Sequence, residues 1–367
     1  MAKLVVCLDG TDQVLNQPHP TNIALIFTAL GGAASAAGNG SFETTLPAGQ
    51  GKYLPGVGTQ GNIFLKALGA AFGDGIAEPI VRGYTFLSRA WASGDEIYIT
   101  GFSRGATAAR ALAGFVVAQG LLDPTRYDVN DKDAAYVRAI AAWYQYRQPR
   151  PNFAQQARLE IISGTIGQQI PSLVPADFQP PPTIKAVGVF DTVSSLGLPH
   201  LDSDGDARFD FSICDTTLSP FVLNGFHALA ADESRDLFSP TFWAEGPNVT
   251  QHVFPGTHSN VGGGYPERGL SDAALDWMLG QLVGVGLPAN PALITPPIAP
   301  RPADVARDDG ARFPFNNTPR RPRAFPDKVV VDPFLKARVG LSVEMLPDPT
   351  PRPYAPVGRY ADGSALV

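Results

Sequence analysis

The sequence predicts an α/β protein with a mostly parallel sheet flanked by helices, and three observations carry that expectation. Short apolar runs of strand length end at polar or glycine-containing turns. Helical patterns lie between those runs. One strand-to-helix junction carries Gly101-Phe102-Ser103-Arg104-Gly105. Strands alternating with helices imply parallel pairing, because neighbouring parallel strands need a crossover connection.

Leu4–Leu8, Ile97–Thr100 and Ile184–Phe190 have the length and continuous apolar character of strands buried on both faces, and Gln251–Phe254 is a fourth candidate. Ala134–Tyr146 reads as a helix, with Val137, Ile140 and Tyr144 on one face and Trp143 beside them. It belongs to an insertion, Asp123–Thr183, that ends in Gln179-Pro180-Pro181-Pro182 and reads equally as a cap over a site or as a structural insertion. Residues 1–287 form the expected catalytic body. From Pro288 onward lie 16 of the 35 prolines, so residues 288–367 should wrap that body in extended form, with short strands at Lys328–Val331 and Gly340–Val343.

With 44% hydrophobic and 17% charged residues the chain falls in the range of folded globular proteins. A net charge of −6 opposes attachment to phosphate backbones or anionic lipid, which excludes nucleic acid as a partner and leaves membrane contact to apolar surface or a partner protein. The apolar run before Asp9 is too short for a signal peptide, so no Sec-type export is expected. Ala24–Gly38 falls below the roughly 18 apolar residues of a membrane span and reads as helix running into loop, so the protein is expected to be soluble. Of the two cysteines, Cys7 and Cys214, the first should be a buried thiol.

Ile97–Thr100, the Gly-x-Ser-x-Gly turn and the alanine-rich run Ala106–Ala113 have the order of a nucleophile elbow, the strained strand-to-helix turn of α/β-hydrolases. Such a turn packs so closely that the positions two before and two after the serine must be small, as Gly101 and Gly105 are. The helix behind Ser103 directs its N-terminal dipole at a developing oxyanion, with the Arg104 N–H as first donor. A second donor is expected from Gly10 or Thr11, in the turn after Leu4–Leu8.

A serine hydroxyl needs a histidine to take its proton and an acid to hold the histidine's tautomer. In α/β-hydrolases the order is serine, acid, histidine, which sets aside His19. His258 follows the candidate strand Gln251–Phe254 in a turn of small residues, whereas His252 lies within it and His227 heads an Ala-Leu-Ala pattern of helical appearance. Asp191 ends Ile184–Phe190, where active sites of α/β sheets collect; Asp232 and Glu233, on a helix expected to begin near His227, are the reserves.

Cys7-Leu8-Asp9-Gly10-Thr11 also suggests the signature of haloacid-dehalogenase phosphatases, but Cys7 stands where that family has its nucleophilic aspartate. Gly262-Gly263-Gly264 lacks the Gly-Lys-Ser/Thr of a phosphate loop. Ser271–Met278 reads as a capped helix in which Asp272 caps rather than binds metal. No histidine-rich ligand spacing is visible, so no cofactor or metal is expected.

Five segments together resemble one family: Cys7–Thr11 with Pro20-Thr21-Asn22, Gly101–Arg110, Val189–Val193, His227–Arg235 and Phe254–Tyr265. In this order, over about residues 3–280, the chain resembles the α/β-hydrolases that supply the catalytic domain of type VI secretion phospholipase effectors. The resemblance implies Ser103, Asp191 and His258 as the triad and acyl-ester hydrolysis with phospholipid as substrate class. Contact with a membrane surface, a secretion or immunity protein as partner, and a cytoplasmic origin with non-Sec delivery belong to the same implication. A hydrolase of small soluble esters, or a noncatalytic module on a hydrolase scaffold, are the alternatives.

Overall fold

The structure is a computed structural model and describes residues 1–56, 76–128, 131–147, 169–193, 216–311 and 319–367. Fourteen strands are present among the described residues: β1 Lys3–Leu8, β2 Ala34–Gly38, β3 Ser41–Leu46, β4 Gly49–Leu54, β5 Glu96–Phe102, β6 Ile184–Phe190, β7 Gly225–Ala230, β8 Val249–Phe254, β9 Ala306–Arg307, β10 Ala324–Phe325, β11 Val330–Val331, β12 Ser342–Leu346, β13 Asp348–Pro353 and β14 Arg359–Tyr360. The helices are α1 Asn22–Ala29, α2 Ala77–Ala90, α3 Arg104–Gln119, α4 Lys132–Arg147, α5 His258–Gly262, α6 Gly269–Gly284 and α7 Pro333–Arg338.

Nine strands form one sheet in the order β11-β8-β7-β6-β5-β1-β4-β3-β2. All neighbours from β11 to β4 pair parallel, and the β2–β3–β4 end is an antiparallel meander. The four strands read from sequence in the body are β1, β5, β6 and β8, with β6 at the expected bounds, and the short strands expected at Lys328–Val331 and Gly340–Val343 overlap β11 and β12. Strand order reverses between β1 and β5, which places the crevice beyond their carboxyl ends at the topological switch point.

Alternation along β1 divides the core. Leu4, Val6 and Leu8 face the layer of α2, α3 and α4, while Val5 and Cys7 face α1 and α6. Trp143 and Ile140 of α4 are buried in the first layer, with the Trp143 ring edge-on to Phe115 of α3 at 5.3 Å. The described helix of the Asp123–Thr183 insertion is therefore part of the flanking layer; residues 129–130 and 148–168 of that insertion, like Cys214, lie outside the described residues.

Three sequence expectations are corrected. His227–Ala230 is not the start of a helix but strand β7, buried along its whole length; a short apolar run buried on both faces has no periodicity to separate strand from helix. Ala34–Gly38 is the exposed edge strand β2 rather than loop, formed from small residues of low strand preference because β3 supplies the pairing. The helix expected from Ser271 begins at Gly269, and Asp272 does not cap it. Its carboxylate pairs with Arg268 at 2.8 Å and accepts the Ala299 N–H.

Beyond residue 288 regular structure is sparse, as the prolines require. β11 extends the main sheet beside β8, β9 joins β12 and β13 in a small sheet, and β10 pairs with β14. Asp332 caps α7 by accepting the Phe334 N–H, with Pro333 in the first helical position. No described helix is long and apolar enough to cross a membrane.

Candidate active site

The carboxyl ends of five parallel strands, β1, β5, β6, β7 and β8, lie side by side. In register, Leu8 of β1 lies opposite Gly101, Phe102 opposite Phe190, Phe190 opposite Ala228, and Ala230 opposite Phe254. The residues that follow these ends include Gly10 and Thr11, Ser103, Asp191, Asp232 and Glu233, and His258.

Ser103 is held at φ 58°, ψ −125°, outside the regions that residues with a side chain ordinarily occupy. Its N–H donates to the Phe190 carbonyl at 3.1 Å and its carbonyl accepts the first bonds of α3, so the turn is fixed from both sides. The flanking glycines are required by contact. A Cβ on Gly101 would lie 2.4 Å from the Gly105 carbonyl oxygen, and one on Gly105 would lie 2.3 Å from the carbonyl oxygens of Leu8 and Asp9. Asp191 also has a positive φ, 41°. Two of the four such non-glycine residues described thus belong to the candidate site, and strained backbone tends to cluster at functional sites.

Asp191 and His258 meet directly: His258 Nδ1 lies 2.6 Å from Asp191 Oδ2, with the carboxylate fully buried. The bond assigns the proton to Nδ1. The other ring nitrogen, Nε2, is buried and makes no hydrogen bond to Ser103 or to any other described residue. The imidazole is held between Phe102, the residue before Ser103, at 4.7 Å between ring centroids, and Phe238, edge-on at 5.0 Å.

A residue that the sequence did not signal completes this centre. Arg323, 3% exposed at its side chain, puts Nη1 2.5 Å from Asp191 Oδ1 and Nη2 2.9 Å from Oδ2, and donates also to the carbonyls of Ala230 and Phe238. With the Ala230 N–H on Oδ1 at 2.9 Å, Asp191 accepts four hydrogen bonds, the capacity of a carboxylate. Burial pushes the Asp191 carboxyl up, but the Arg323 guanidinium and the His258 N–H outweigh it and hold the group far below the usual carboxylate range. The residue belongs to the run Pro319-Arg320-Arg321-Pro322-Arg323, where nothing local separates a buried arginine from its exposed neighbour Arg321.

The other acidic candidates hold the backbone of the His258 turn. Asp232 accepts the Gly256 N–H, the Tyr354 hydroxyl and the Val357 N–H; Glu233 accepts the His258 N–H at 3.3 Å and is paired with Arg235 at 2.7 Å. His258 opens the short helix α5, whose preceding Thr257 is held through Asn260. His227 accepts the Thr192 N–H at Nε2, and burial drives its titration down to about 3, which keeps it a neutral acceptor. His252 pairs with Asp332 at 3.0 Å.

The β1 turn is built on Asp9. Its carboxylate accepts the Thr21 hydroxyl, the Tyr53 hydroxyl and the Gly10 N–H, and burial raises it to about 6. The Gly10 N–H is thereby engaged at 2.7 Å, while the Thr11 hydroxyl accepts from Arg104 Nε and ties the turn to the elbow. Asn22, next to Thr21, donates to the carbonyls of Val261 and Ser271 and joins α1 to the histidine segment. Cys7 is a buried free thiol raised by burial to about 12, which suits core packing and not nucleophilic chemistry.

A family model described as the type VI secretion, Tle1-like phospholipase effector catalytic domain matches residues 2–281. The chain belongs to this family. Among curated proteins, it is 26% identical over 270 residues to an uncharacterized protein of Saccharomyces cerevisiae, covering 70% of this chain and 35% of that protein. Among solved structures, an uncharacterized protein from Pseudomonas aeruginosa aligns at 17% identity and TM-score 0.41, covering 80% of this chain and 48% of the other. A Tle1 effector bound to the VgrG spike of the type VI secretion system aligns at 18% identity and TM-score 0.40, covering 73% and 52%. The chain thus spans about a third of the yeast relative and about half of each solved chain. Ser103, Asp191 and His258 all fall inside the family-matched segment of this Tle1-like chain; Arg323 falls outside it.

Proposed function

We propose that this chain is a serine hydrolase of the α/β-hydrolase type that cleaves the acyl esters of phospholipids through Ser103, His258 and Asp191. The observation that carries the reading is the buried Asp191–His258 pair, its second imidazole nitrogen unengaged, packed on Phe102, the residue that precedes a serine held in a strained strand-to-helix turn. Phospholipid as substrate class comes from membership of the family.

In this reading Asp191 holds the Nδ1–H tautomer, so Nε2 is the base. As Ser103 Oγ attacks the ester carbonyl its proton passes to Nε2, and the carbonyl oxygen becomes an oxyanion. The N–H of Arg104, at the start of α3, stabilises that charge. Thr11 supplies the second donor in preference to Gly10, whose N–H serves Asp9. Collapse of the intermediate expels the alcohol, which takes the proton from Nε2 and leaves the acyl group on Ser103. Water then repeats the sequence and releases the fatty acid.

The test is labelling by a fluorophosphonate probe, with the modified peptide identified by mass, together with fatty-acid release from phosphatidylcholine vesicles with and without chelator. Labelling should fall on Ser103, and folded Ser103→Ala should lose labelling and about 10⁴-fold or more of the hydrolytic rate. Near wild-type release by that variant would refute the mechanism. Turnover of a dissolved short-chain ester with no gain on aggregated lipid would reassign the substrate to small soluble esters.

A further inference from the structure

We infer that Arg323, from the segment beyond the family-matched residues, is a positioning residue of the catalytic centre that fixes Asp191 and sets the low-pH limit of activity. The inference rests on the proposed roles of Ser103, His258 and Asp191.

Geometry separates this contact from an ordinary structural ion pair. The guanidinium grips both carboxylate oxygens, and its Nη2 shares Oδ2 with His258 Nδ1. The fork therefore fixes the plane of the carboxylate and the direction from which the imidazole is held, a task suited to arginine's planar donor set. The same guanidinium anchors the Phe238 carbonyl, and the Phe238 ring is one wall against His258. One side chain thus orients the acid and a face of the base.

The charge has a second consequence. A catalytic aspartate ordinarily offers an imidazolium a full counter-charge; here Arg323 already neutralises it. The remaining charges near the ring leave this balance intact, because Glu233, which accepts the His258 N–H, is paired with Arg235, and His227 stays neutral. Arg323 thereby sets how much of the Asp191 charge is left to meet an imidazolium on His258 as it takes the serine proton. Removing the guanidinium leaves Asp191 unopposed and favours the imidazolium, which moves the acidic limb of activity to higher pH.

The experiment compares wild type, Arg323→Lys, Arg323→Gln and Arg323→Met by the pH dependence of kcat/KM for a chromogenic ester and of fluorophosphonate labelling, with near-ultraviolet circular dichroism confirming the fold. Arg323→Met and Arg323→Gln should shift the acidic limb upward by roughly one pH unit. Arg323→Lys, which keeps the charge and loses the fork, should retain the wild-type limb with a reduced kcat. If Arg323→Met does not fold, Arg323→Gln, which can still donate to Asp191, gives the reading. Neutral variants whose profile is lowered uniformly, or not at all, with an unmoved acidic limb would overturn the inference. Failure of wild type to label at Ser103 at any pH would instead overturn the reading on which it rests.

Discussion

Asp→Asn leaves the geometry of the protease triad intact, but the surroundings of Asp191 make the exchange structurally disruptive here as well. Four donors converge on the carboxylate: His258 Nδ1–H, two nitrogens of Arg323 and the Ala230 N–H. An amide offers one accepting oxygen and one donating nitrogen, so either orientation sets its NH₂ against the Arg323 guanidinium, and one of them against His258 as well. The buried guanidinium also loses its counter-charge, a change that costs about 3–5 kcal/mol when one partner of a buried pair is removed. At about 2.1 cal/mol/K per residue of unfolding entropy, a cooperative chain of 367 residues should melt roughly 4–6 °C lower. Because the folded-state carboxyl lies far below its unfolded value, this stabilisation is present above the unfolded range near pH 4 and disappears as pH falls through the folded value. The gap between wild type and variant should therefore hold from about pH 5 to 8 and close in stronger acid. Activity should fall by roughly 10⁴-fold, because the amide no longer fixes the reactive tautomer. Differential scanning calorimetry and ester hydrolysis on wild type, Asp191→Asn, Arg323→Met and the double variant separate the two effects. The double variant should regain part of the melting temperature and none of the rate. A single Asp191→Asn variant that melts within about 1 °C of wild type would refute the ionic clamp, and one that retains the rate would refute the assignment of the acid.

His258→Ala should lose about as much activity as Ser103→Ala, and the double variant should be scarcely worse than either, since both act in one proton transfer; steady-state kinetics showing losses that multiply would assign His258 to a separate step. Gly105→Ala should cost on the order of 3 kcal/mol or more, because the new methyl meets the Leu8 and Asp9 carbonyl oxygens at 2.3 Å, backbone that cannot swing aside. Urea unfolding checks this, and an unchanged midpoint would show that the elbow is looser than these contacts require.

What could be read from sequence was what local pattern encodes. Ile184–Phe190 was legible because its apolar run stops at Asp191, and the elbow because a strand, two glycines and an alanine-rich helix lie within one short segment. β7 was misread because Gly225–Ala230 is buried on both faces and shows no alternation. The β2–β3–β4 meander was missed because β2 is built of small residues and β4 opens with Gly49-Gln50-Gly51-Lys52, so that Phe42, Thr44 and Thr45 of β3 stand between two segments without a strand pattern. Arg323 was illegible for a different reason. Its role comes from meeting a carboxylate 132 positions away, and the intervening chain gives no spacing rule that joins them.

That distance bears on where the catalytic unit ends. The family-matched segment stops at residue 281, yet the site is tethered from later residues at three separate points. Arg323 grips Asp191; Tyr354 and the Val357 N–H hold Asp232, which in turn holds the Gly256 backbone; and Arg307 bonds Asn260 and Thr257 on either side of His258. Each tether reaches Asp191, or the segment that carries His258, rather than a remote surface. A segment that only wrapped the body could be exchanged for any cover of similar shape, whereas these contacts each satisfy a specific buried donor or acceptor. The proline-rich arm is therefore better understood as part of the same folded unit, holding the proposed acid and base, than as an appendage packed upon it.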